Sequence, residues 1–237
     1  SFIEDIARSN KMIKVIRSNN PRELYKSSLL LSEYIRESLT SERSSVWIAQ
    51  RNGRTKNGID ITEQGLLKML DMSGKGDFSS DFNELSIVPV SISYEYEPCD
   101  FLKARELYIT RRTKYKKAPG EDLNSILTGI MQFKGQIHIN FNKSVSYSEI
   151  EECSQKGKNE RFKCLAEVID KKIIEGYKIW NSHRISSDIL FKNSNNSKFY
   201  TSEERRSFEE YCDFKISEFE GDKDEIKEIF LSIYANA

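Results

Sequence analysis

The stretch Ser45–Asp60, SVWIAQRNGRTKNGID, decides how the rest of the chain is read. It opens as a short apolar run, Val46-Trp47-Ile48-Ala49, and breaks into Gln50-Arg51-Asn52-Gly53-Arg54-Thr55-Lys56-Asn57-Gly58. β-Branched and aromatic residues followed by glycine-punctuated polar ones predict a buried strand feeding a basic loop. Such a loop is suited to an anion. The strand fixes its position, Gly53 lets backbone approach a ligand, and Arg51, Arg54 and Lys56 supply charge. The same residues also describe an ordinary solvated turn, so the neighbouring sequence has to arbitrate.

Upstream, Lys11–Arg17 (KMIKVIR) alternates as a short strand. Asn20-Pro21-Arg22-Glu23 then reads as a helix start, with Asn20 as cap and Pro21 in the first turn. A leucine-rich stripe carries that helix to about Leu39. Strand, helix and strand in so short a span predict a right-handed crossover with the two strands parallel. Ligands gather at the carboxyl ends of such strands. Arg17 ends the first strand and Arg51–Arg54 follow the second, so the two ends could converge on one anion. The plainer reading leaves Arg17 as a surface charge or a partner for Glu23.

Downstream, Thr62–Met72 reads as a helix, Phe78–Leu85 as a short helix or turn, and Ser86–Tyr96 as the longest strand signal. Pro89 within it suits an edge, a bulge or a strand end. Asp100–Lys114 is a basic helix running into Arg111-Arg112-Thr113-Lys114-Tyr115-Lys116-Lys117. Those cations and tyrosines suit anionic lipid head groups or nucleic acid, or simply form a solvated face. A helix over Leu123–Phe133 precedes a last strand, Gly135–Phe141, with Ile137, Ile139 and Phe141 on one side and His138 on the other. Ser148–Ala235 reads as helical, with Asn193–Lys198 an exposed linker. The expected fold class is therefore α/β, with a mixed sheet flanked by helices over residues 1–141. A helical subdomain is expected over 142–237.

Lys plus Arg and Asp plus Glu both number 37, which argues against a generic nucleic-acid binder. Cys99, Cys153, Cys164 and Cys212 form no CxxC pair, and His138 and His183 are the only histidines. No metal site is expected, and reduced thiols are the simplest reading. No run approaches the length of a membrane span. The chain opens at Ser1 inside an amphipathic pattern, Phe2-Ile3-x-x-Ile6-Ala7, which reads as the continuation of something upstream.

Trp47-Ile48-Ala49-Gln50-Arg51, then Gly53-Arg54 and Lys56, resemble the third sequence block of the PlsC-like glycerolipid acyltransferases. Asn52 stands where that family carries Glu. Ile13-Lys14-Val15-Ile16-Arg17 with Pro21-Arg22-Glu23 resembles the second block, although Val15 replaces the usual aromatic. Val88-Pro89-Val90 resembles the fourth, in the right order. The resemblance covers roughly residues 1–141. It implies transfer of a fatty acyl group, from acyl carrier protein or acyl-CoA as co-substrate, to glycerol phosphate or lysophosphatidate. It also implies work at the cytoplasmic face of a membrane, with no other cofactor and no nucleic acid. By position, Arg17, Asn52, Gly53, Arg54 and Lys56 would hold the acceptor phosphate, and Pro89 and Val90 would line the acyl pocket.

The family's first block, His-x4-Asp, supplies the base that takes the hydroxyl proton. No histidine precedes the second block here. His183 and Asp188 have the right spacing but lie in a helical region after the fourth block. Five residues along a helix also turns the two side chains away from each other. A fragment lacking its upstream block is the preferred expectation. A member of the fold that binds anions or lipids without catalysis is the alternative, to which Asn52 lends weight. A partner-binding protein using the basic helix near Arg111 is the third.

Overall fold

The structure is a computed structural model that describes residues 5, 9–13, 15–16, 18–51, 53 and 55–236. It is of mixed α and β character and mostly helical. Its contacts divide it into two compact units whose segments interleave along the chain. Unit 1 takes residues 1–52, 62–88 and 143–170, and unit 2 takes 53–61, 89–142 and 171–237.

Unit 1 contains helices α1 (Pro21–Thr40), α2 (Gln64–Asp71), α3 (Phe78–Leu85) and α6 (Tyr147–Ser154), and the start of α7 (Glu160–Gly176). Helix α1 begins as expected. Asn20 Oδ1 accepts from Arg22 N at 3.0 Å, and Pro21 opens the first turn, where its missing N–H costs nothing. Arg36 is buried on α1 without being orphaned. It donates to Ser73 Oγ (3.0 Å), Asp81 O (3.1 Å) and Leu70 O (3.2 Å), and pairs with Glu84. That set ties α1 to the ends of α2 and α3. Phe78 and Phe82 on α3 meet Phe162 on α7, with ring centroids 5.5 and 6.3 Å apart.

Cys153 on α6 and Cys164 on α7 form a disulfide, Cα–Cα 5.5 Å, where reduced thiols were expected. A spacing of 11 residues carries no motif, and only the packing of α6 beside α7 brings the two sulfurs together. Cys99 and Cys212 are buried and lie outside the disulfide.

The expected parallel crossover is absent among the described residues. Residues 12, 13, 15 and 16 of the first expected strand, and Val46–Ala49 of the second, lie in no strand, while Lys14 and Arg17 lie outside the described residues. Met12, Val15, Ile16, Trp47 and Ile48 are exposed, Trp47 to 67%. β-Propensity expresses a fit to a partly buried pleated surface, and these segments have no ladder partner on which to express it.

Among the described residues the sheet lies in unit 2, and it is antiparallel and two-stranded rather than mixed: β1 (Val90–Tyr94) pairs with β2 (Ile137–Phe141). Val90 lies opposite Phe141 and Tyr94 opposite Ile137. The alternation predicted for β2 is present, but its sense is unusual. Ile137, Ile139 and Phe141 are exposed, while Ser91 and Ser93 on the opposite face are buried. The polar face packs so closely that a Cβ on Gly176 would come within 2.9 Å of Ser91 Oγ.

The helices of unit 2 are α4 (Asp100–Thr110), α5 (Glu121–Met131), the end of α7, α8 (Asn181–Leu190), α9 (Ser202–Ile216) and α10 (Lys223–Ala235). A helical run from Tyr147 to Ala235 is thus observed, broken by short connections. α10 is central, contributing Ile226, Ile229, Phe230, Ile233 and Tyr234 to a core completed by Ala104, Ile185 and Phe208. Asp100, the first residue of α4, is buried there. Tyr211 and Tyr234 hydroxyls donate to its Oδ2 at 2.6 and 2.7 Å, and Tyr234 in turn accepts from Glu97 N. Burial still pushes the Asp100 carboxyl above the usual carboxylate range.

Candidate functional site

The loop after Gly53 belongs to unit 2 and is pinned at several points. Thr55 Oγ1 donates to Ile59 O at 2.7 Å, Ile59 N donates to Asn57 Oδ1 at 3.3 Å, and Asn236 Nδ2 donates to Asn57 O at 2.9 Å. Gly53 and Gly58 sit at φ +85° and +82°, where a side chain would be strained, so the two glycines the sequence singles out are needed by the turn itself. Arg17, Asn52 and Arg54 lie outside the described residues.

Lys56 forms an ion pair with Glu106, on α4. From there it lines an open depression of about 580 Å³ together with Thr110, Arg111, Arg112, Thr113, Lys114, Tyr115 and Lys117. Two sequence signals read separately, the glycine loop and the basic run after α4, therefore meet in one place. Five cations face one carboxylate across this wall. A second cavity of about 320 Å³ shares Lys56, Glu106 and Tyr115 and adds Lys103, Arg105 and the turn Ala118–Gly120.

Several of these groups are held in place. Arg112 stacks its guanidinium on the Tyr108 ring at 3.7 Å and pairs with Glu225, which Arg111 also meets at 3.3 Å. Tyr115 donates its hydroxyl to Glu121 at 2.5 Å. Burial and the Glu121 carboxylate push Tyr115 up to about 12, so it stays a protonated donor. The wall is predominantly cationic, with Glu106 its one carboxylate.

Pro89 is buried and Val90 half-buried at the start of β1, where Pro89 O accepts from Asn142 N at 3.0 Å. The proline falls just before the strand, where it accepts from Asn142 and is not required to donate. Neither residue lines the two cavities.

His183 and Asp188 each have their own structural task. His183 is buried near the start of α8, with Nδ1 accepting from Trp180 N at 3.2 Å, and burial pushes its pKa down to about 4. Asp188 accepts from Asn196 Nδ2 at 2.9 Å and Tyr200 OH at 2.7 Å, holding the turn after α8. They do not form a pair. His138 stands opposite Ser93 in the sheet. Among the described residues no group of three metal-ligating side chains occurs.

Glu106 is the part of this site the sequence did not disclose. One acid in a basic helix resembles any surface charge until the fold brings Lys56 to it. No protein-family model, curated protein or solved structure matches the chain.

Proposed function

We propose that this chain is the acceptor-holding part of a PlsC-like glycerolipid acyltransferase. In this reading an acyl group passes from acyl carrier protein or acyl-CoA to glycerol phosphate or lysophosphatidate at a membrane surface. The observation that carries the reading is the Trp47–Gly58 stretch. Its match is followed in order by Val88-Pro89-Val90, and its Lys56 opens onto a wall of Arg111, Arg112, Lys114 and Lys117. Arg17, Asn52, Gly53, Arg54 and Lys56 would hold the acceptor's phosphate by charge-assisted hydrogen bonds, with Pro89 and Val90 beside the acyl chain. Transfer needs a base for the acceptor hydroxyl, which the reading assigns to a His-x4-Asp pair ahead of Lys11.

A second reading, an anion- or lipid-binding module of the same chain without chemistry, is favoured by one observation. His183, the histidine with an Asp five residues on, is buried with its Nδ1 taken by Trp180 N, so it is not set up as a base.

The test is acyl transfer by the reading frame that carries this chain together with its upstream residues. Transfer to glycerol 3-phosphate or lysophosphatidate is expected. Arg54→Ala should lower kcat/KM for the acceptor roughly 10- to 100-fold, the worth of one charge-assisted hydrogen bond. Lys56→Ala should lower it less, because Glu106 already neutralises part of that charge. No transfer from either thioester, with lysophosphatidate still bound, would decide for the non-catalytic reading.

A further inference from the structure

Helix α5 wears its apolar stripe on the outside. Leu123, Ile126, Leu127, Ile130 and Met131 fall within an arc of about 140° at ~100° per residue. They are 41, 52, 51, 66 and 80% exposed. The inward face is the small one: Ser125 is buried with its carbonyl accepting from Cys99 Sγ at 3.5 Å, and a Cβ on Gly129 would sit 3.7 Å from the same sulfur. Phe133, two residues past the helix, is exposed as well. Contiguous apolar surface of this kind marks an interaction site.

The charges beside the stripe indicate what covers it. Arg111–Lys117 reaches α5 through Ala118-Pro119-Gly120 and holds five cations and no acid, and Lys134 follows the helix. Arg111 and Arg112 share Glu225, while Lys114 and Lys116 are exposed, and the acids of the first turn of α5 are engaged. Glu121 accepts from Tyr115 OH and Ala118 N, and Asp122 pairs with Lys117. An apolar stripe flanked by basic residues is complementary to an anionic bilayer surface, where the apolar side chains reach the acyl boundary and the cations meet phosphates. At about 16 Å the helix is too short to cross. No helix among the described residues is long and apolar enough to do so.

We propose that α5 and the basic run before it dock the protein on the surface of a bilayer containing anionic lipids. This rests on the reading above only in naming the surface at which that site would work. Docking itself requires neither acyl donor nor acceptor.

The experiment is co-sedimentation of the chain with vesicles of equal parts phosphatidylcholine and phosphatidylglycerol, and with vesicles of phosphatidylcholine alone. Binding to the mixed vesicles is expected, weakening as salt rises. Ile126→Glu with Ile130→Glu should lower the partition roughly tenfold or more, and so should Lys114→Glu with Lys116→Glu. Helicity and Tm should be retained in both, because these side chains are exposed. If the glutamate pair loses helicity, Leu127→Ser with Met131→Ser interrogates the same stripe. Equal partition of parent and variants overturns the proposal. So does a parent that ignores both vesicles but forms dimers abolished by Ile126→Glu with Ile130→Glu, since a second copy would then cover the stripe. Failure of acyl transfer leaves this result standing, and failure here leaves the transfer assay with soluble glycerol 3-phosphate standing.

Discussion

Helices α5 and α10 belong to the same unit and carry the same pattern. Leu123, Ile126, Leu127 and Ile130 in one, and Ile226, Ile229, Phe230 and Ile233 in the other, are spaced i, i+3, i+4 and i+7. In α10 these side chains are at most 4% exposed, and in α5 at least 41%. Periodicity thus specifies that a helix has an apolar face and says nothing of what covers it. The cover comes from elsewhere in the chain: α10 packs on α4, α8 and α9, whereas α5 is held against Cys99 by its small residues. The two helices invite the same truncation and should answer differently. Phe230→Ala should cost about 4 kcal/mol, because the lost transfer energy is joined by a cavity that the rings of Tyr211 and Tyr234 border. Chemical denaturation reads this directly. A cost under about 1 kcal/mol would mean that α10 is not the centre of its unit.

The same distinction separates what was legible in the sequence from what was not. Local signals held where the cause is local: Asn20 caps α1, Pro21 opens it, and Gly53 and Gly58 take positive φ. The helices expected over Asp100–Lys114, over Leu123–Phe133 and at the close of the chain are observed over Asp100–Thr110, Glu121–Met131 and Lys223–Ala235, so the first stops short of the basic run. Signals that depend on a partner failed. Val46–Ala49 has strand composition and no strand to join, and β1 found β2 across more than forty residues instead of a parallel neighbour. The Cys153–Cys164 bond was invisible for the same reason. At the candidate site, Lys56 and the run Arg111–Lys117 were legible as residues, while their meeting in one depression was not. That meeting depends on how α4 and the loop fold together.

The dry side of the comparison also has a pH signature. His183 lies 6.0 Å from the Tyr234 ring of α10, ring centroid to centroid, and burial depresses its pKa from 6.5 to about 4. Between those values the unfolded chain takes up a proton that the folded chain refuses. The stability contributed by the neutral imidazole is therefore complete above about pH 6.5 and is lost as pH falls toward 4, by about 3 kcal/mol. Asp100 works in the opposite sense, since its raised pKa lets the folded chain hold a proton that the unfolded chain has released. Subtracting the denaturation profile of His183→Gln from that of the parent isolates the histidine. The parent's stability minus the variant's should fall from pH 7 to pH 4.5, because only the parent loses the histidine's contribution. An unchanged difference would place His183 in contact with water after all.

The smallest expected effect is on the wet side. Ile130→Ser removes an apolar side chain whose exposure is already 66% and opens no cavity, since solvent occupies the space it leaves. The remaining cost is the difference in helix propensity and a little surface, within about 0.5 kcal/mol. Leu127→Ser should behave alike. Measured on the isolated chain, a Tm within about 2 °C of the parent would show that the stripe contributes nothing to folding alone. Measured with anionic vesicles present, the same substitution should remove part of any added stability, because a surface that binds only the folded state stabilises it by mass action. A loss of several kilocalories in the isolated chain would instead mean that α5 buries its stripe in solution, and the contrast with α10 would disappear.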